Sequence, residues 1–492
     1  MNLILNPHSV DDYRTFLKIK QLPAWSMRGR SATFPDEYAH AVGIKSRRKA
    51  SVKYTPEPFL FDYQRDICEM AIRRQRFAVF ADCGLGKTLI LLSYARHVQQ
   101  ELGPKKRVLI LCPPMVIYQT IAEAERFWGD SLKIERVRSK DMAEWISGKG
   151  DAIGIANYEA LKSDTPQGNL GGLILDESSV LKSHYGEYAG ICLRLGENLK
   201  WKLCCTGTPA PNDRIEFANH AVFLDRFPTV NSFLATYFIN RGQTGERWEL
   251  KPHALRPFYR ALSDWCIFLS CPGVYGWKDN VATMPPIHTH IENVPMTRDQ
   301  EEWVRKELGT LMAIKTGGIT QRSAFGQVAK GLWKKQKFET FKYDYMRDRI
   351  DSWRSDESTL VWCLYDHEQA RCQKTIGGGS LDGSTPMAKR RETVEQFKRR
   401  EIDCLISKPK ILGFGLNLQV ATRQVFSGLQ DSYESFYQCV KRSNRIGSTK
   451  PLNVHIPATD LEMPMIETVM AKAHRVDQDT REQESLFAEM RA

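Results

Sequence analysis

Between residues 59 and 206 the chain alternates short, uninterrupted apolar runs with longer stretches of helical apolar period. The runs fall at 77–81, 108–112, 152–156, 173–175 and 202–205. Runs this short, separated by helical pattern, predict strands buried on both faces and joined by helical crossovers, the arrangement of a parallel sheet. From about 212 to 286 the rhythm gives way to an aromatic stretch that includes Phe258, Tyr259, Trp265 and Trp277. That stretch predicts a helical insertion followed by a linker. The alternation resumes at 287–294, 359–363, 403–407, 423–426 and 452–456, which implies a second α/β lobe. Residues 11–20 carry a helical period inside a polar, basic segment without recognisable chemistry. The predicted organisation is an N-terminal extension over 1–54, a first lobe over 55–225, the insertion and linker over 226–282, a second lobe over 283–470 and a helical tail over 471–492. No repeat of solenoid length is visible.

Length agrees with this division, because 492 residues exceed one hydrophobic core and suit two or three domains. No window holds the ~20 apolar residues of a membrane span, and the N-terminus lacks the pattern of a secretory signal. A soluble, intracellular protein is expected. The twelve cysteines are dispersed and form no paired C-x-x-C spacing, so they predict reduced, mostly buried thiols instead of disulfides or zinc. A net charge of +12 favours a polyanionic partner. Basic clusters at Lys45/Arg47/Arg48/Lys49, Arg73/Arg74/Arg76, Lys334/Lys335/Lys337 and Lys389/Arg390/Arg391 are candidates for phosphate contact, although most such runs are solvated faces.

The sharpest chemistry follows the first apolar run. Gly84 and Gly86 lie in a turn that leads into a helix beginning near Lys87 and Thr88. Glycines there let backbone N–H groups approach phosphate oxygens at the positive end of the helix. Lys87 is expected on the β/γ-phosphates and Thr88 on Mg²⁺. A phosphate loop needs a carboxylate at the end of a later strand. The run 172–175 ends in Asp176 and Glu177, expected to hold the metal and to polarise the attacking water. These residues predict ATP and Mg²⁺ as cofactors.

With those residues in place, the chain resembles the Swi/Snf-like DNA translocase branch of superfamily-two helicases over nearly all of 60–460. Phe61, Asp62, Tyr63, Gln64 and Arg65 resemble the glutamine motif, in which Gln64 would read the adenine edge. The Cys112-Pro113 and Asn157-Tyr158 segments resemble nucleic-acid-contacting motifs, with Pro113 and Asn157 as candidate track residues. Thr206, Gly207, Thr208 and Pro209 resemble the motif coupling nucleotide state to lobe movement, through Thr206 and Thr208. In the second lobe, Leu381 to Thr385 resembles a strand-end motif, and the loop through Gly415 and Asn417 resembles one that tracks phosphates, which implies Gly415, with Gln438, as a nucleotide contact and Asn417 as a track residue. The spacing of Gln438, Arg442 and Arg445 resembles the arginine-finger motif and predicts all three close together on one helix. Ser179 departs from the family's usual histidine, and Thr120 from its usual tryptophan.

The resemblance implies two tandem RecA-like P-loop lobes, with ATP in a cleft between them and Arg442 and Arg445 brought to the γ-phosphate on closure. It implies a DNA-dependent ATPase that translocates on double-stranded DNA, of the compact kind found in bacteriophages, acting alone or within a nuclease, repair or replication assembly. A strand-separating DNA or RNA helicase is the rival reading. A non-hydrolysing, ATP-gated nucleic-acid clamp is the rival from another class.

Overall fold

A computed structural model describes residues 2–22, 25–34, 42–44, 54–182, 186–211, 213–242, 247–279, 284–308, 319–412, 416–430, 432–445 and 447–491. The expected nucleotide contact Gly415 and the cluster Lys45/Arg47/Arg48/Lys49 lie outside these residues. The chain divides into two units, Met1–Asp279 with Asp479–Ala492, and Asn280–Gln478.

The first unit is built on seven strands: β1 (Arg76–Ala81), β2 (Arg107–Cys112), β3 (Glu135–Arg136), β4 (Ile153–Asn157), β5 (Leu170–Asp176), β6 (Trp201–Thr206) and β7 (Cys266–Leu269). They lie in the order β7-β1-β6-β5-β2-β4-β3, every pair parallel. All five strands expected from the apolar runs are present. Continuous apolar strands require cover on both faces, and helices provide it. The helix α1 (Lys87–Leu102) buries Ile90, Leu91, Leu92, Tyr94, Ala95 and Val98 completely. Each large apolar side chain so buried contributes roughly 1.5–3 kcal/mol. The anchorage of the phosphate loop's helix is therefore far larger than any single polar contact at its tip.

The stretch expected as insertion and linker is instead largely part of this unit. Its strand β7 pairs with β1 at the sheet edge. Its aromatics Phe233, Tyr237, Phe258, Tyr259 and Trp265 join the same core as the sheet. The apolar run 266–269 was hidden among aromatics, which pack equally well in helices, so its period carried no strand signal.

The second unit carries β8 (Ile287–Asn293), β9 (Ser358–Trp362), β10 (Gly379–Leu381), β11 (Cys404–Ser407), β12 (Ala421–Phe426) and β13 (Leu452–Ala458), in the order β8-β13-β12-β9-β11-β10, again all parallel. Both units are thus α/β, as expected. Two helices, Arg298–Leu308 and Ile319–Ala329, build a satellite core around Trp303, Val304, Phe325, Val328 and Phe338. The tail is one helix, Met463–Arg491, whose last turns from Asp479 belong to the first unit. There Phe487 stacks on Phe268 with ring centres 5.4 Å apart, and Asp479 pairs with Arg214 at 2.6 Å.

The N-terminal extension folds as a small antiparallel sheet, Asn2–Ile4, Ser31–Thr33 and Ser26–Arg28, around Leu5, Ile19, Ala32 and Phe34. The helix expected at 11–20 is Val10–Lys20, capped by the Ser9 side chain. All twelve cysteines are free thiols. Among the described residues no helix is long and apolar enough to cross a membrane.

Candidate functional site

In an open parallel sheet the ligand crevice lies beyond the carboxyl ends of the strands. In the first unit, five strand ends present five candidate segments there. The phosphate loop follows β1, Thr206 ends β6, Asp176 ends β5, Pro113 follows β2 and Asn157 ends β4. The register holds them level: Thr206 sits opposite Phe80, Asp176 opposite Cys205, and Cys112 opposite Asn157.

Gly84 and Gly86 have φ of 91° and 70°, which a side chain would strain. At Gly86 the constraint is also steric, because an added Cβ would lie 2.2 Å from the Gln64 side-chain nitrogen. Gln64 is fully buried, donates to the Leu85 carbonyl at 3.3 Å and accepts the Phe61 amide at 2.9 Å. It ties the glutamine motif to the turn. Tyr63 adds a second bond to the same carbonyl at 3.2 Å.

Lys87 is buried at the helix start and donates to the carbonyls of Ala81 and Asp82 at 2.9 and 3.3 Å. Burial works against its charge, but Cys83, Glu177, Asp176 and Asp82 outweigh it and hold the ammonium above its ordinary value. Thr88 follows in the first turn of α1. Asp176 is buried, and its carboxylate accepts the Glu177 amide at 3.2 Å. Burial first, and the Glu177 charge second, push its pKa up to about 7 against the pull of Lys87. Such a group fits a divalent cation well, since a cation removes the penalty that raises it.

Glu177 has φ of 52°, a left-handed conformation unusual for a residue with a side chain. Its carboxylate accepts the Thr206 hydroxyl at 3.2 Å, and Thr206 in turn accepts the Thr208 amide at 3.1 Å. The two expected coupling residues therefore touch one expected catalytic acid through a single hydroxyl. Next along the loop, Ser178 meets the fully buried His220 at 3.1 Å. Burial lowers His220 to about 4, so the imidazole is neutral at pH 7. The His220 ring also packs edge-on against Phe80 at 5.3 Å, and Asn219 donates to the Leu181 carbonyl at 2.6 Å. Sequence reasoning missed both residues. A lone histidine in an apolar helix reads as core, and the only available signal was its position soon after Thr206 to Pro209.

Asn157 bonds Glu159 at 2.8 Å, and Asn417 in the second unit bonds Gln419 at 2.9 Å. The expectation of one helix for Gln438, Arg442 and Arg445 is corrected. The helix Tyr433–Val440 ends before either arginine. The Arg442 carbonyl accepts the Leu418 amide at 2.9 Å, which diverts it from helical bonding. Arg442 is fully buried, with its guanidinium on the Gln438 carbonyl at 2.8 Å and the Gln438 side chain at 2.7 Å. Arg445 is half-buried and donates to the Lys441 carbonyl at 2.8 Å.

Comparison with known proteins adds the following. A SNF2-related domain matches residues 63–340, and a helicase conserved C-terminal domain matches 342–447. The chain is 25% identical to the DNA annealing helicase and endonuclease ZRANB3 of Bos taurus, over 80% of this chain and 38% of that protein. It is 24% identical to the SWI/SNF-related matrix-associated actin-dependent regulator of chromatin subfamily A-like protein 1 of Xenopus tropicalis, over 83% of this chain and 44% of that one. It thus spans less than half the length of these two relatives. A putative protein of Acyrthosiphon pisum secondary endosymbiont phage 1 is 24% identical, over 82% of this chain and 92% of its own length. A solved structure, the SWI2/SNF2 ATPase core of Sulfolobus solfataricus in complex with dsDNA, aligns with a TM-score of 0.40 and 17% identity, over 82% of this chain and 89% of that one.

Proposed function

The chain belongs to the SNF2-related family of helicase-like ATPases, and from that premise we propose that it hydrolyses ATP to translocate along double-stranded DNA. The observation that supports this most is the meeting of Lys87, Asp176 and Glu177 at the carboxyl end of one sheet, with Glu177 tied to Thr206. A clamp that only binds nucleotide has no need of a water-polarising acid held in a strained backbone.

In this proposal Gln64 would read the adenine edge after leaving the Leu85 carbonyl, and the amides around Gly84 and Gly86 cradle the phosphates. Lys87 turns from its two carbonyl partners to the β/γ-phosphates. Thr88 and Asp176 would hold Mg²⁺, which supplies positive charge against the phosphate oxygens. Glu177 accepts a proton from the attacking water, and Thr206 registers whether that carboxylate is engaged. Arg445 is the arginine we assign to the developing γ-phosphoryl charge. Arg442 holds Gln438 in place and would act on phosphate only after leaving it. An arginine so placed contributes roughly 10³–10⁵ in rate. Pro113, Asn157 and Asn417 are proposed contacts to the phosphate track, which makes binding sequence-tolerant and salt-dependent.

The test is ATPase activity measured in parallel with duplex DNA, single-stranded DNA and RNA, together with displacement of a triplex-forming strand. Duplex-stimulated turnover with triplex displacement and no strand separation is the expected result. Efficient unwinding would favour the strand-separating rival, and nucleotide binding without turnover would favour the clamp.

A further inference from the structure

The satellite core of the second unit carries a short antiparallel hairpin, Leu332–Trp333 against Gln336–Lys337. Leu332 faces Lys337 and Trp333 faces Gln336, so only Lys334 and Lys335 make the turn. Both have positive φ, 45° and 74°. A two-residue turn with positive φ at both positions suits Asn-Gly, whereas a long side chain is strained at each. This chain places consecutive lysines there, followed by Lys337.

The hairpin is also firmly seated. Its flank is pinned by the Phe338 amide on the Gly331 carbonyl at 3.0 Å, and Trp333 packs against the core of Trp303 and Phe325. The Lys334 ammonium lies over the Trp333 ring, 5.2 Å from its centre. Lys334, Lys335 and Lys337 are all exposed, and among the described residues none has a carboxylate partner. Strain retained at a rigid, exposed position points to a task for the residues that bear it. Lysines on a sheet edge also deter edge-to-edge pairing, but that duty does not require them in a strained turn.

We infer that this hairpin is a contact for the phosphate backbone of nucleic acid, with Lys334 and Lys335 at its tip as the contacting groups. The inference rests on the proposal that the chain works on duplex DNA, and adds a surface to it. Ammonium groups are point charges that suit phosphate oxygens without reading bases. The contact is therefore sequence-tolerant.

The test is the double substitution Lys334→Asn with Lys335→Gly in the full chain. It removes two charges and installs the pair that the turn geometry favours. Thermal stability is expected to hold or rise. Duplex DNA binding, followed by fluorescence anisotropy over a NaCl series, is expected to weaken equally across sequences. The slope of log K against log[salt] should become shallower by roughly 2. Lys334→Arg with Lys335→Arg should retain the wild-type slope. Unchanged affinity and slope in the Asn-Gly variant would overturn the hairpin contact while leaving the motor proposal standing. A wild-type chain that binds no duplex would overturn both.

Discussion

Each unit buries a carboxylate at or just beyond the end of a strand of its parallel sheet, and the two are treated in opposite ways. Glu462, after β13, is enclosed with Lys330 at 2.7 Å and with Lys342, all three inaccessible to solvent. Its carboxylate also accepts the Thr459 amide at 3.2 Å. Burial opposes its ionisation, but the two lysines outweigh burial and hold it below the usual carboxylate range. Asp176, at the end of β5, has one lysine nearby, and that lysine donates to loop carbonyls. Burial and Glu177 leave it at about 7. A buried charge completed by its own chain is architecture. One left short of positive charge suits a cation, as the proposed function has it for Asp176.

The largest expected effect is on turnover. Glu177→Gln should retain ATP binding and lose a factor of about 10²–10⁴ in DNA-stimulated ATPase, the usual worth of a positioned base. Asp176→Asn should lose turnover without loss of stability in the ligand-free protein, because it removes a destabilised charge. Normal turnover in the Glu177 variant would take that residue out of its assigned role. Unfolding of the Asp176 variant would erase the contrast with Glu462.

Next in size is the structural counterpart. Glu462→Gln leaves two buried lysines without their carboxylate, and breaking such a group costs about 3–5 kcal/mol. Denaturant unfolding should show the loss in the second unit. Replacing the whole trio by apolar residues of similar volume should be far milder, since no charge is then stranded. If Glu462→Gln abolished nucleotide-dependent activity with stability intact, Glu462 would belong to the chemistry.

The same contrast governs pH dependence. The folded protein binds the Asp176 proton more tightly than the unfolded chain does. Its contribution to ligand-free stability should therefore rise as pH falls from about 7 toward the ordinary carboxylate range. The slope is at most about 1.4 kcal/mol per pH unit. Glu462 has the opposite sign: its stabilisation is full above the ordinary carboxylate range and is lost on acidification through its lowered value. Thermal melts of wild type and Asp176→Asn between pH 4 and 8 separate the two. The variant should lose only the upper slope.

The parts of this contrast differ in how visible they were in the chain. Strands β1, β2, β4, β5 and β6 were legible because a strand buried on both faces is an unbroken apolar run. The phosphate loop and the acid pair were legible because their chemistry is local, within a few residues of a strand end. The Lys330, Lys342 and Glu462 trio was not, since its members are separated by 120 residues or more from lysine to glutamate and only the fold brings them together. His220 beneath Ser178 was hidden for the same reason. Arg442 shows the converse: its spacing was legible, yet spacing implied a continuous helix where the tertiary bond from the Leu418 amide to the Arg442 carbonyl stops one.

The smallest expected effect concerns the hydroxyl joining the acid to the coupling motif. Thr206→Val keeps the shape of the fully buried side chain and removes the bond to Glu177 and the acceptor for the Thr208 amide. A bond to a charged group is worth about 1.5–3 kcal/mol, but Glu177 is only half-buried, so the lower end applies. About tenfold in kcat is then expected, with KM for ATP little changed, because the bond positions the base and not the nucleotide. Thr206→Ser should restore most of it. Loss of ATP affinity in the valine variant would mean that Thr206 supports the phosphate loop, and the acid would then owe its strained conformation to something other than this hydroxyl.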